Sequence, residues 1–515
     1  MRLCLRSLLI TATLALCISS AQSTVRAPDL HPPTVRVEGG LITGTQTEGV
    51  TRFFGVPYAA PPLGELRWRA PQPLQPWTGT REARAFSPVC RQTVPWISEP
   101  QSEDCLYLNV WAPARAHKLP VMVWIHGGGF FGGSGSQSGT DGSRLTRQDV
   151  IVVTLNYRLG IFGFFAHPEL SAESPAKASG NQGILDQIAA LRWVQRNIAA
   201  FGGDPSRVTV MGESAGAVSV AMLVASPLAK GLFQRAIAQS GNDGLPLDSS
   251  ENSRFDRTQA ETEAVALAHG LGAEHLADLR AIDADTLIRK SWVPRTIVDH
   301  HLLREDMETM YRNHRQNDVP ILVGWNADEG KDLAPEILGT SDFTATSHSA
   351  LLARLLGHAP SAKVLADYAA ATDAEAQASI FRFTSDYWGW RMWRWADLQT
   401  KARSSKPYVY YFVHSPADPA TPCSYGCKAG HGAEIRYVFD QLDQDPRVWS
   451  PDDRLLTREL VGYWTNFAKT GAPNGEGLAA WPAFDGTKAN VRRLGTAAEI
   501  RERGALPDFD SLADP

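Results

Sequence analysis

Three observations predict an α/β protein with a central, mostly parallel, twisted sheet and helices on both faces. First, several runs are largely apolar instead of alternating cleanly: Leu119–Ile125, the stretch from Asp149 to Asn156, Val208–Met211, Val319–Gly324 and Lys406–Val413. A strand that is apolar on both sides needs helices above and below it, which is the environment of a parallel sheet. Second, these runs alternate with helical spacing, clearest from Gly183 to Ala200, where Ile184, Ile188, Leu191 and Val194 share a face. Third, the run Val208–Met211 passes directly into Gly212-Glu213-Ser214-Ala215-Gly216 and then into small residues that can open a helix.

Taken in order, Met1 to about Ala21 has the three parts of a secretory signal: Arg2 and Arg6, the apolar Leu8–Ile18, and the small residues Ser19, Ser20 and Ala21. Residues 22–515 are expected to be one catalytic domain, exported to the periplasm or secreted. No other run approaches the roughly 18 apolar residues of a membrane helix, so no integral membrane segment is expected. Val35–Gly44 reads as a hairpin around Gly39 and Gly40. Arg52–Trp68, rich in Pro and Gly, reads mostly as loop. Ser102–Trp111 ends in a strand. Phe201-Gly-Gly-Asp-Pro205 stops the helix that precedes the Ser214 strand. Beyond Gly241 the pattern turns helical, with several helices over residues 250–315, helical spacing from Ser349 to Ala402 and a further helix over Arg454–Lys469. An apolar-poor tail closes the chain.

Composition narrows the function classes. The chain has 515 residues and a net charge of −5, or −7 once Arg2 and Arg6 leave with the signal. No basic run stands out, so nucleic acid is not an expected partner. Fifteen tryptophans suggest aromatic-walled cavities as well as core. Of the six cysteines, Cys4 and Cys17 fall in the signal segment. The remaining Cys90, Cys105, Cys423 and Cys427 are an even number in an exported chain, which favours two disulfides; three pairings are open.

The junction at Ser214 carries chemistry. A serine on a tight turn between strand and helix has its hydroxyl pushed out of the sheet edge, and the helix that follows aims N–H groups and its positive dipole end at the site. A second glycine-rich turn, His126-Gly127-Gly128-Gly129-Phe130, ends the strand Leu119–Ile125. The N–H groups of Gly128, Gly129 and Ala215 can form an oxyanion hole. A phosphate cradle would want Lys followed by Ser or Thr at the end of the turn; Phe130 and Phe131 stand there instead.

Glu103-Asp-Cys-Leu-Tyr-Leu-Asn109, His126-Gly-Gly-Gly-Phe130, Gly180-Asn-Gln-Gly-Ile-Leu-Asp-Gln187, Phe201-Gly-Gly-Asp-Pro205 and Gly212-Glu-Ser-Ala-Gly-Ala217 occur in that order, and Tyr463-Trp-Thr-Asn-Phe-Ala-Lys-Thr-Gly-Ala-Pro-Asn474 follows. Together they resemble the type-B carboxylesterase family, which includes cholinesterases and bacterial p-nitrobenzyl esterases, from about Val35 to Phe484. The resemblance implies an α/β-hydrolase fold with helical excursions around the active site and a Ser-Glu-His triad. Its acid would be Glu329 in Asn326-Ala-Asp-Glu-Gly330, with Asp328 as the competing neighbour. Its base would be His431 in Gly430-His-Gly-Ala-Glu434. His431 would take the Ser214 proton and return it to the leaving alcohol, while Glu329 fixes the tautomer. Glu213 would lie beneath the site. Arg67 with Glu103, and Arg158 with Asp186, resemble the family's ion pairs. Cys90–Cys105 resembles its N-terminal disulfide, closing a loop of about 15 residues. Trp96 lies in that loop and is expected to pack in the core or at the rim.

Two further stretches are distinctive, and the first departs from the family pattern. Cys423 and Cys427 are four residues apart near His431, and a local disulfide is preferred there to free thiols or a metal site. Tyr387-Trp-Gly-Trp-Arg-Met-Trp-Arg-Trp395 puts Trp388, Met392 and Trp395 on one helical face; Trp388 and Trp390 are candidate pocket residues for bulky or aromatic esters. Arg391 and Arg394 are expected on a solvated face. The expected function is a serine carboxylesterase acting on a small-molecule ester, with no metal and no organic cofactor. A non-catalytic, cholinesterase-like binding protein and amide hydrolysis on the same triad are the alternatives. Retention of Ser214, Glu329, His431 and both oxyanion glycines argues against the first.

Overall fold

The computed structural model describes residues 32–241, 256–290, 292–402, 404–417 and 428–512. The signal segment 1–21, Cys423 and Cys427 lie outside the described residues. From Pro33 onward the described residues form one contact unit.

The core is a ten-stranded sheet. In chain order its strands are β1 (Thr45–Thr47), β2 (Val50–Pro57), β3 (Tyr107–Pro113), β4 (Leu119–Ile125), β5 (Ile151–Leu155), β6 (Gly203–Glu213), β7 (Arg235–Gln239), β8 (Ile321–Asn326), β9 (Pro407–Phe412) and β10 (Val491–Leu494). Across the sheet they run β10-β9-β8-β7-β6-β4-β5-β3-β2-β1. Every pairing from β10 to β5 is parallel; β5 with β3, β3 with β2 and β2 with β1 are antiparallel. The sheet is therefore mixed, with an antiparallel edge on a parallel body, and helices cover both faces. All residues of β5, β8 and β9 are buried, as unbroken apolar runs in a covered sheet require. The hairpin read at residues 35–44 pairs Thr34–Val37 with Gly40–Thr43 outside this sheet.

Two helices matter for the site. α1 (Ala215–Ala225) leaves the end of β6 and is buried along its whole length. Its small residues let it press against the sheet: a Cβ on Gly216 would meet the Ile125 carbonyl oxygen at 2.1 Å, so only glycine fits. α2 (Asp373–Ala402) is the long helix that carries the tryptophan stretch and packs on β8 and β9.

Several expectations need correction. Within Arg52–Trp68, expected to be mostly loop, Arg52–Pro57 is strand: Val50, Phe53 and Val56 are buried, the strand pairs with β3, and a register shift between Phe53 and Val56 absorbs Gly55 at φ 66°. The apolar-poor tail also holds regular elements. β10 is an edge strand in which only the end residues Val491 and Leu494 are buried, a weak apolar signal, and α3 (Ala497–Arg503) follows it. Arg391 is buried: its guanidinium lies 4.1 Å from the Tyr387 ring centroid and 5.3 Å from that of Trp388, contacts that replace water around a cation. Arg394 pairs with Glu308 at 2.8 Å and is half-buried. Trp96 is 61% exposed and is not core.

Candidate active site

The site forms at the carboxyl ends of parallel strands β4, β6, β8 and β9, where an open α/β sheet leaves a crevice. Ser214 follows β6 and adopts φ 55°, ψ −125°, a conformation that costs a non-glycine residue about 1–3 kcal/mol. The strain is held by its surroundings. Ser214 N donates to Gln239 O at 2.9 Å, and its own carbonyl caps the Val218 N–H at 2.9 Å. A Cβ on Gly212 would meet the Gly216 carbonyl at 2.6 Å. The Ser214 hydroxyl makes no hydrogen bond to a described residue, and the residue is half-buried.

The glycine turn after β4 bends back on itself. Gly128 and Gly129 have φ 99° and 59°, and Phe131 N and Gly132 N both donate to Gly128 O. A Cβ on Gly128 would strike Gly132 O at 2.3 Å. Gln92 ties the turn down, accepting from Gly133 N at 2.7 Å and donating to Gly133 O and Cys90 O at 3.0 and 2.9 Å. Among the described residues the N–H groups of Gly128, Gly129 and Ala215 have no acceptor. Three such donors near the Ser214 hydroxyl can stabilise negative charge developing on a carbonyl oxygen.

Glu329 and His431 meet across 102 residues of sequence. His431 Nδ1 lies 2.6 Å from Glu329 Oε2. The other oxygen, Oε1, accepts from Asn326 N at 2.7 Å, and Glu329 is fully buried. The turn that bears Glu329 also holds the backbone of the His431 segment. Asn326 Nδ2 donates to Gly430 O at 2.8 Å, and Asp332 Oδ2 accepts from His431 N at 2.9 Å. Of the two acidic neighbours in that turn, Glu329 meets His431, and Asp328 instead accepts from Ala429 N and pairs with Arg503.

Nε2, the nitrogen that faces away from Glu329, lies 3.3 Å from Glu213 Oε1. No hydrogen bond joins it to Ser214, a contact that often tightens only with substrate in place. Burial pushes the Glu213 carboxyl up to about 8, aided by Glu434 and Glu329 and opposed by His431. Burial alone would lower the His431 pKa; the Glu213 and Glu329 carboxylates more than offset that and raise it. Glu213 and His431 thus compete for one proton, and when it rests on Glu213 the imidazole is free to accept another.

A third carboxylate, Glu434, is buried behind the pair and received no role from the sequence. Asn326 Nδ2 donates to it at 2.5 Å, Gln239 Nε2 at 2.9 Å and the Tyr410 hydroxyl at 3.4 Å. Burial raises its pKa. The one available signal was its place in the Gly430–Glu434 motif.

The remaining expected residues are placed as follows. Cys90 and Cys105 are joined as a disulfide. Arg67 grips Glu103 through two bonds of 2.7 and 2.6 Å and also donates to Ile282 O. Arg158 grips Asp186 at 2.8 and 2.7 Å, and both are buried. Trp388 donates to Ser240 O at 3.1 Å, next to Gly241, whose Cβ would meet Ser214 O at 2.2 Å. Trp390 is buried in the core beside Tyr387. A groove of about 1040 Å³ beside the acid turn is lined by Asp328, Lys331, Ser385, Asp386 and Arg503; neither Ser214 nor His431 belongs to it. Among the described residues no helix is long and apolar enough to cross a membrane.

The family model described as "Carboxylesterase family" matches residues 31–507. Fumonisin B1 esterase of Sphingopyxis macrogoltabida is 37% identical over 505 residues, covering 90% of this chain and 86% of that protein. Para-nitrobenzyl esterase of Bacillus subtilis is 36% identical over 478 residues, covering 87% and 92%. Among solved structures, a PNB esterase superposes with a TM-score of 0.77 at 34% identity, covering 92% of this chain and 100% of that one. A thermophilic PNB esterase gives 0.78 at 34% identity, covering 90% and 96%.

Proposed function

The chain belongs to the carboxylesterase family, and from that membership we propose that it hydrolyses carboxylic esters through an acyl-enzyme on Ser214, with His431 as base and acid and Glu329 as its orienting carboxylate. Ser214 Oγ adds to the ester carbonyl while its proton passes to His431 Nε2. The carbonyl π electrons move onto oxygen, which accepts from the N–H groups of Gly128, Gly129 and Ala215. Collapse of the tetrahedral adduct expels the alcohol oxygen, which takes the proton from His431. Water then adds to the acyl-enzyme by the same route, releasing the acid and restoring Ser214.

The observation that carries this reading is the Glu329–His431 contact at 2.6 Å, in a molecule whose strained Ser214 stands beside Glu213, the other neighbour of that imidazole. Bulky or aryl esters are the proposed substrates, with Trp388 as a wall near Ser214; the relative named para-nitrobenzyl esterase supports that class. Ser214→Ala tests the reading. Hydrolysis of p-nitrophenyl acetate should fall by roughly 10⁴ to 10⁶ with folding intact, and retention of activity would overturn it.

Export with removal of residues 1–21 belongs to the same proposal, supported by the Cys90–Cys105 disulfide. N-terminal sequencing of the mature protein checks it: a first residue near Gln22 agrees, an intact Met1 does not. We also propose a Cys423–Cys427 disulfide that stiffens the approach to His431. Peptide mapping without reduction would find the two linked.

A further inference from the structure

The connection from β9 to His431 is long, spanning residues 413–430, and delivers an imidazole that must sit within a fraction of an ångström of its target. The described parts of that connection are its two ends, and both are tied to the short C-terminal helix α3.

At the first end, Val413 N donates to Leu494 O at 2.8 Å, in the strand just before α3. Glu499, in the first turn of α3, then takes two bonds from the connection: Ser415 N to its Oε1 at 2.8 Å and His414 Nδ1 to its Oε2 at 2.9 Å. The same carboxylate closes the capping box of α3, accepting from Thr496 N and Oγ1 at 2.8 Å each. A capped helix start fixes Glu499 in place, so the bonds it makes to the connection are made by a held group.

At the second end, Arg503, the last residue of α3, pairs with Asp328. Asp328 in turn accepts from Ala429 N at 3.2 Å, and its own N–H donates to Ala429 O at 2.9 Å. Ala429 is two residues before His431, and Asp328 is one residue before Glu329. Arg503 therefore bears on both partners of the 2.6 Å contact through a single carboxylate.

We infer that α3 is a positioning element for the base, with Glu499 and Arg503 fixing the two ends of the segment that delivers His431. The inference rests on the reading of His431 as base. Neither residue touches substrate; Glu499 acts at His414 and Ser415, and Arg503 acts through Asp328 on the backbone at Ala429.

The test uses the full-length protein and p-nitrophenyl acetate. Arg503→Met should lower kcat by about tenfold to a hundredfold while KM stays within about twofold, because misplacement by an ångström slows chemistry without weakening substrate binding. Arg503→Lys, which keeps a cation opposite Asp328, should recover most of the loss. Because Arg503 acts through Asp328, the double variant Arg503→Met with Asp328→Asn should be no slower than the slower single variant. A folded Arg503→Met enzyme with wild-type kcat would overturn the inference, as would losses in the double variant that multiply. Glu499→Gln at the other end is read the same way if Arg503→Met does not fold. His431→Gln separates the two readings: full activity there sinks the assignment of the base itself, whereas an inactive His431→Gln beside a fully active Arg503→Met sinks only the role of α3.

Discussion

Glu213 Oε1 lies 3.3 Å from His431 Nε2, on the side of the imidazole opposite the 2.6 Å contact with Glu329. The ring is thus flanked by carboxyl groups on both nitrogens, and both partners of the Glu213–His431 contact have raised pKa values, Glu213 chiefly through burial and His431 because its flanking carboxylates outweigh burial. Glu213→Gln removes one of the anions that raise the His431 pKa. The imidazole should then lose its proton at lower pH, so the acid limb of the kcat/KM profile should shift downward. A pH–rate series on a p-nitrophenyl ester checks it. An unmoved or upward-shifted limb would show that Glu213 does not act on His431.

His414 offers a pH effect on stability. Its Nε2 lies 2.7 Å from Asp453 Oδ1 and its Nδ1 2.9 Å from Glu499 Oε2. Ionised carboxylates only accept, so both ring nitrogens carry hydrogen and the ring is an imidazolium. Burial works against that charge, but the Glu499 and Asp453 bonds prevail and raise the pKa. A raised folded pKa gives stability that is complete below the unfolded value of about 6.5 and is lost as pH climbs through the folded value. The melting temperature should fall across that alkaline window, and His414→Gln should flatten the fall. A His414→Gln profile parallel to wild type would contradict the assignment.

Much of this was legible in the chain beforehand, and the parts that were not share a cause. The apolar runs that became β4, β5, β6, β8 and β9 could be read because parallel strands are apolar on both faces. Ser214, Gly128, Gly129 and Ala215 could be read because backbone chemistry there demands glycine or a small residue in a local pattern. β2 was hidden by Gly55 and Pro57, whose turn signals mask a strand that a bulge accommodates. β10 was hidden because two buried residues out of four make no periodicity. Glu434 and Asp332 were passed over, and Asp328 was weighed only as a rival acid, for another reason: a carboxylate that binds backbone or amide groups far away in sequence carries no local mark of doing so. Arg391 looked solvated because charge in a sequence does not reveal the tyrosine and tryptophan faces that cover it.

The Cys90–Cys105 crosslink spans 15 residues. Replacing both cysteines by serine should cost roughly 3 kcal/mol of unfolding free energy in the chain-entropy description. Urea denaturation of the oxidised wild type and the double variant measures it. Because Gln92 bonds both Cys90 O and the glycine turn, kcat should fall as well, by less than the loss of a whole oxyanion donor, which costs about 10²–10³. Equal stability and equal kcat in the two proteins would remove the disulfide from the account.

The central claim is that Ser214 is a nucleophile activated by His431. Labelling with an organophosphorus fluoride, followed by peptide mass spectrometry, tests it most directly. One phosphoryl group should form on the peptide containing Ser214, with fluoride released, and His431→Gln should slow its formation by orders of magnitude. A label on any other residue, or a Ser214 label that forms as fast in His431→Gln as in the wild type, would contradict it.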